Sequence, residues 1–383
     1  MSTAPGENPA TIEAVDRDES TASITASLLE YRNIQGRTYQ NSKTTEYWAP
    51  NDDKHLEAFD VAHHWLTMIL GDKLFIAPIG DNPQRILDIG TGTGIWAIDV
   101  ADEYPSAEVI GIDISPTQPT WVPPNLRFEI EDAQLDWTFK PESFDFIHIR
   151  YMYGAIDDWP KLYRQIYRFL KPGGWFQHLE PDIEMRSEDP NLEIGEDHIF
   201  KQWAQVFYGA GDKLGRTFKV TENMKSWAHD AGFTGVVHKE FKVPLSPWPK
   251  DDNLKQQGMY CGYYLDLSLD GFAIYPIGQI LGWSFEEVQV LVAKMRAAVR
   301  NPRNLGVAYH HVVYGQKPEA PPQTAPSERN LCKVPIYGIT YFHVDEARLA
   351  EDLFGHGCNG GILKELAAVI SLHGAAAANP GIP

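Results

Sequence analysis

Hydrophobic positions along the chain follow two different periods. Over residues 54–75, Leu56, Phe59, Ala62, His63, Leu66, Ile69 and Leu70 recur at steps of three and four, which predicts a helix with one apolar face. From residue 85 the pattern changes to short apolar runs of strand length: Arg85–Ile89, Glu108–Asp113, Leu126–Glu131, Phe144–Ile149 and Gly174–Leu179. Helical stretches, Ile95–Asp102 and Trp159–Leu170, lie between some of them. Strands alternating with helices predict an α/β fold with a parallel sheet covered on both faces. Further on, Met224–Ala231 reads as a helix stopped by Gly232, with strands expected at Val236–Val243 and Ala308–Gln316. Glu286–Val299 is the clearest helix of the block 253–300, with Ser284 as its N-cap and acid in its first turn.

Two segments interrupt this alternation, at about 184–220 and 253–300. Both are rich in aromatic residues, among them Trp203, Phe207, Tyr208, Tyr260, Tyr264, Phe272 and Trp283. They are expected to form either an apolar lid over a substrate or the core of a helical subdomain. The segment 31–78, aromatic at Tyr31, Tyr39, Tyr47 and Trp48, is expected to cap a main domain at 79–317. Residues 1–30 are Ser, Thr, Ala, Pro and acid, the composition of a disordered tail. Residues 318–383 open with a Pro-rich linker and continue as an extension without a clear period.

Composition narrows the function classes. Of 383 residues, 43% are hydrophobic and 22% charged, a soluble globular balance. Lys and Arg number 33 against 52 Asp and Glu, a net charge of −19, which argues against nucleic acid and anionic membrane surfaces as partners. No run reaches the length of about 18 apolar residues that a membrane span needs. The N-terminus has no basic segment followed by an apolar one. Three widely spaced cysteines (Cys261, Cys332, Cys358) do not make a disulfide framework, so a reducing, cytoplasmic location is expected. No metal is expected: the adjacent pairs His63-His64 and His310-His311 point to opposite faces, and no cluster has ligand spacing.

The chemistry is carried by Leu87-Asp88-Ile89-Gly90-Thr91-Gly92-Thr93-Gly94, at the end of the first strand of the alternating region. Glycines there let backbone N–H groups approach a ligand. The pattern is G-x-G-x-G, and Ile95 stands where the dinucleotide fingerprint has its third glycine. An acid two residues before the first glycine suits a cationic amino group and repels a pyrophosphate. Asp113, 19 residues past Gly94 and at the end of the second strand, is placed to accept from ribose hydroxyls. Glu131-Asp132-Ala133, after the third, can receive the amine of an adenine. Singly, each is an ordinary turn or surface acid. Together, in order after three successive strands, they describe S-adenosyl-L-methionine.

With these residues in view, LDIGTGTGIWAID, IGIDIS, FDFIHIRYMYGAIDDWP and YRQIYRFLKPGGWFQHLE resemble the class I S-adenosylmethionine-dependent methyltransferases, and within them the fungal LaeA-like group. The resemblance runs from about Gly36 to Lys317. It implies a Rossmann-like sheet of seven strands with the last antiparallel. Carried over by position, it implies Asp88, Gly90, Thr91, Gly92 and Gly94 at the methionine end, Asp113 and Ile114 at the ribose, and Asp132 and Ala133 at the adenine. Arg150, counted with both cofactor and chemistry, would face the methyl group and acceptor with Tyr151. Tyr39 and Asn51-Asp52 would close over the cofactor. The chain departs from the group at Ala58-Phe59-Asp60, where an Arg commonly precedes the apolar-acid pair, and beyond Pro318.

Methyl transfer from a sulfonium is an in-line displacement in which positioning and exclusion of water supply much of the rate. An oxygen acceptor also calls for a base. The candidates are His148, which reads equally as a core histidine, and His178 and Glu180, in phase at the end of the fifth strand. The expected activity is methylation of a small, largely apolar secondary metabolite at an oxygen, nitrogen or carboxyl. Two alternatives stand beside it: a LaeA-like regulator acting through protein partners, and a methyltransferase fold running a different step.

Overall fold

The computed structural model describes residues 30–319, so the tail 1–30 and the extension 318–383 lie almost wholly outside the described residues. The described chain opens with an antiparallel hairpin, β1 (Arg32–Ile34) and β2 (Arg37–Tyr39). Helix α1 (Asp53–Ile69) follows, capped by the Asp52 carboxylate, which accepts the His55 N–H. It stops short of residue 75 because Gly71 and Asp72 both take positive φ.

The sheet then builds up as β3 (Arg85–Ile89), α2 (Ile95–Glu103), β4 (Glu108–Asp113), β5 (Leu126–Ile130), β6 (Phe144–Arg150), α3 (Trp159–Phe169) and β7 (Leu170–Pro181). After it come β8 (Arg186–Ser187), α4 (Ile199–Leu214), α5 (Met224–Asp230), β9 (Thr234–Pro244), α6 (Asp252–Ala273), α7 (Phe285–Arg300) and β10 (Gly306–Gln316). A π-helical turn at Ile274–Ile280 extends α6 through Pro276. The N-cap expected at Ser284 is present as a full capping box with Glu287.

Strand order is β5-β4-β3-β6-β7-β10-β9. β3 to β7 run parallel, and β10 lies antiparallel to β7 and β9. The seven strands with a reversed last strand are as the resemblance implied. The two-residue β8 adds an eighth, which sequence reading missed. β8 pairs with Gly306 and Val307, while β7 pairs with His310 to Gln316 on the same edge of β10. It is therefore a resumption of the β7 line after a break, too short to leave a period in the sequence.

Side chains alternate across the strands, so the two faces bury different partners. Ile86, Val109 and Phe146 meet Trp96, Ala97 and Val100 of α2. Leu87, Ile89, Ile147 and Ile149 join a larger core with α1, α3, α4 and α6. The chain order reverses at β3, with β4 on one side and β6 on the other. Ligands in open α/β sheets bind at the carboxyl ends of strands beside such a reversal. Among the described residues no helix is long and apolar enough to cross a membrane.

Candidate active site

A cleft of about 850 Å³ lies at this position, formed by the ends of β3, β4, β5 and β6 and walled by Phe59, Ala62 and Leu66 of α1. The glycine loop forms its floor. Gly90 and Thr91 both donate their N–H to the Ile112 carbonyl (2.9 and 3.0 Å), tying the loop to β4. Gly92 donates to Asp113 Oδ2, and Ser115 to Oδ1, each at 2.9 Å. Burial pushes the Asp113 carboxyl up to about 6, against the pull of these N–H groups. Gly92 sits at φ +59, and a Cβ there would meet no protein atom. The open side of this residue is room for a ligand. Gly94, at φ +81, differs: a Cβ would run into the Phe128 ring. Its glycine serves packing, and it does not line the cleft.

The structure brings Gly90, Thr91, Gly92, Asp113, Ile114, Asp132, Ala133 and Arg150 to one wall. Asp132 Oδ1 accepts the Gln134 N–H at 3.0 Å, whereas Oδ2 is buried without a partner among the described residues. Such an orphan acceptor is costly unless a ligand donor meets it. Among the described residues three acids line the cleft, Asp113, Glu131 and Asp132, against one cationic side chain, Arg150. An orphan acceptor, a strand-end acid and a lone guanidinium fit a ligand that is a nucleoside at one end and an amino acid at the other.

Several expected residues stand elsewhere. Asp88 lies beneath the loop, not at its surface: it accepts from the Thr91 hydroxyl at 2.7 Å and bonds His148 Nδ1 at 2.8 Å. His148 stacks on Trp96, with centroids 3.7 Å apart, and lines neither this cleft nor the chamber described below. Burial pulls its pKa down to about 4. Its place inside an apolar run is the physical reason it is a core partner of Asp88. Tyr39 is fully buried 5.5 Å from Tyr275, away from the cleft. Asp52 is committed to Arg37, which also binds Asp270 and so fastens the hairpin to α1 and α6; the Asn51 side chain has no hydrogen-bond partner among the described residues, and neither Asn51 nor Asp52 lines the cleft. Thr45 and Tyr47 of the same segment close the cleft instead, Thr45 accepting from Gln134 at 2.7 Å. Sequence reading named Tyr47 but not this role. The aromatic richness of the segment was its only signal.

His178 and Glu180 are side by side, as their alternation predicts, with Nε2 and Oε1 2.9 Å apart. They do not face the cleft. Glu180 accepts the N–H groups of Met152 (2.7 Å) and Tyr153 (3.2 Å), and His178 Nδ1 bonds the Tyr163 hydroxyl at 2.8 Å. This buried chain clamps the turn after β6, where Tyr151 is held at φ +56. A non-glycine residue holds that conformation only when its surroundings enforce it.

Tyr151 also opens onto a second chamber of about 600 Å³. Its walls are Trp48, Trp65, Tyr153, Trp203, Phe207, Tyr264 and Phe272, drawn from the segment before α1, from α1, the turn after β6, α4 and α6. Tyr151 bonds His310 Nε2 at 3.0 Å. Burial holds the Tyr151 phenol well above its ordinary value, pushes the Cys261 thiol up to about 12 and pulls His310 down to about 3. Tyr151, Cys261 and His310 are therefore neutral at physiological pH, while the chamber's one acid among the described residues, Asp182, is paired with Arg186.

Residues 62–239 match the family model of a methyltransferase domain. Methyltransferase pytC of Aspergillus terreus is 38% identical over 307 residues, covering 80% of this chain and 94% of that protein. The secondary metabolism regulator LAE1 of Cochliobolus heterostrophus is 32% identical over 290 residues, covering 74% and 94%. The protein-methionine methyltransferase laeA of Emericella nidulans is 30% identical over 301 residues, covering 76% and 77%. With a glycine loop and acids at the ends of three adjacent parallel strands, the chain belongs to the S-adenosylmethionine-dependent methyltransferases of the LaeA-like group.

Proposed function

We propose that this enzyme methylates a small, largely apolar secondary metabolite held in the aromatic chamber. The observation that carries the reading is the meeting of the two cavities at Tyr151, one polar at the strand ends and the other apolar. S-adenosylmethionine supplies a methyl group already activated on a sulfonium. Asp113 would hold the ribose hydroxyls, Asp132 Oδ2 the adenine amine, and Arg150 the carboxylate of the methionine portion. Tyr47, Phe59 and Leu66 would keep water from the sulfonium side of the cleft, and the chamber walls would fix the acceptor in line. Tyr151, at the junction, would orient the acceptor with a neutral hydroxyl. His148, His178 and Glu180 line neither cavity and do not act as bases.

On this reading residues 79–317 form the catalytic domain, 31–78 its cap, and 184–220 and 253–300 its lids. The buried free Cys261 is in keeping with a cytoplasmic location. The test is transfer of labelled methyl from S-adenosylmethionine in a fungal extract, separated into small-molecule and protein fractions. Label is expected in the small-molecule fraction. Label in protein alone would favour the regulator reading, and its absence from both fractions, with the cofactor still bound, the non-methylating one.

A further inference from the structure

Among the described residues Arg150 is the one cationic side chain that lines the cofactor cleft, and the three acids lining it leave Arg150 unengaged. Its side-chain hydrogen bond among the described residues runs instead to His63 Nδ1, at 3.1 Å. A guanidinium only donates, so His63 Nδ1 must present its lone pair. The proton then sits on Nε2, which donates to Asp99 Oδ2 at 2.8 Å. His63 lies on α1, and Asp99 lies on α2, the helix that opens at the glycine loop.

We infer that His63 and Asp99 are positioning residues that aim the Arg150 guanidinium at the carboxylate of the cofactor, and so make the cap helix α1 part of the cofactor site. The inference rests on the assignment of that carboxylate to Arg150 above. Its chemical basis is the planar fork of arginine, which matches a carboxylate with two parallel N–H bonds only when its plane is fixed. One terminal nitrogen bonded to a held imidazole fixes that plane and leaves the other donors for the ligand. Asp99 fixes the imidazole in turn, its carboxylate half-exposed at the outer end of the chain. The arrangement also explains why an apolar helix face carries a buried histidine at position 63.

The test is calorimetric titration with S-adenosylhomocysteine and with its decarboxylated analogue, which lacks the carboxylate alone. The wild type is expected to prefer the first by about a hundredfold, the strength of a charge-assisted pair. Arg150→Met should abolish the preference. His63→Phe should cut it about tenfold without changing affinity for the decarboxylated ligand. His63→Asn, which keeps an acceptor where Nδ1 stands, should restore most of it, and Asp99→Asn should lower it several-fold. If Arg150→Met leaves the preference intact, the carboxylate assignment itself fails. If Arg150→Met removes it while the His63 and Asp99 variants keep it, or weaken both ligands equally, the positioning inference alone is overturned.

Discussion

The cofactor cleft and the aromatic chamber share Tyr151 and differ in almost everything else. The cleft draws its charged groups from the ends of β4, β5 and β6 and the turns after them, with each acid within a few residues of a strand end. The chamber gathers residues from Trp48 to His310, on five separate elements. One is built by local chain geometry at a topological reversal. The other exists only once α4 and α6 have packed over the sheet. The two should therefore fail independently, cofactor binding through single residues and acceptor binding through packing.

The largest expected effect is on the cleft. Asp113→Ala removes the strand-end acid and should weaken S-adenosylmethionine by at least about a hundredfold, roughly 3 kcal/mol, in calorimetry. The chamber should be untouched, because Asp113 does not line it. The glycines sharpen the contrast. Gly94→Val forces a branched side chain into the Phe128 ring at positive φ and should cost stability by about 3 kcal/mol in denaturant unfolding. At Gly92 an added Cβ meets no atom of the described residues, so Gly92→Ala should cost the fold only the backbone term of about 1–2 kcal/mol while cofactor binding is weakened.

In the chamber, Trp203→Leu should raise the acceptor KM by about tenfold, through lost contact area, with cofactor affinity unchanged. Equal loss of both would mean that the chamber aromatics are only a subdomain core. The smallest effect is pH-dependent. Asp113 is ionised above about 6, and the ionised form is the better acceptor for ribose hydroxyls. Cofactor affinity should therefore fall as pH drops through about 6, and Asp113→Asn should flatten that limb.

What was legible in the sequence follows the same division. Apart from the two-residue β8, the strands from Arg85 to Gln316 and the acids at their ends could be read from apolar runs and spacing, because β3, β4 and β6 are buried on both faces and the loop glycines are local signals. The roles of Asp88, His178 and Glu180 could not, and His148 reads equally as a core histidine and as a base. All four sit at or beside strand ends and look like cleft residues, but their partners (Thr91, Trp96, Tyr163 and the Met152–Tyr153 backbone) are chosen by tertiary packing. Tyr39 misled for a similar reason. Its aromatic segment does reach the site, through Thr45 and Tyr47, but Tyr39 itself turns into the contact with Tyr275. Tyr151 was read as facing the acceptor from the resemblance alone, and its positive φ has no signature in residue type.

The central claim is that a polar cofactor cleft and an apolar acceptor chamber are separable sites joined at Tyr151. Calorimetric titration of S-adenosylmethionine into the wild type, Asp113→Ala and Trp203→Leu tests it most directly. The account predicts micromolar binding by the wild type and by Trp203→Leu, and its loss in Asp113→Ala. No binding by a folded wild type, or loss of binding in Trp203→Leu as severe as in Asp113→Ala, would contradict it.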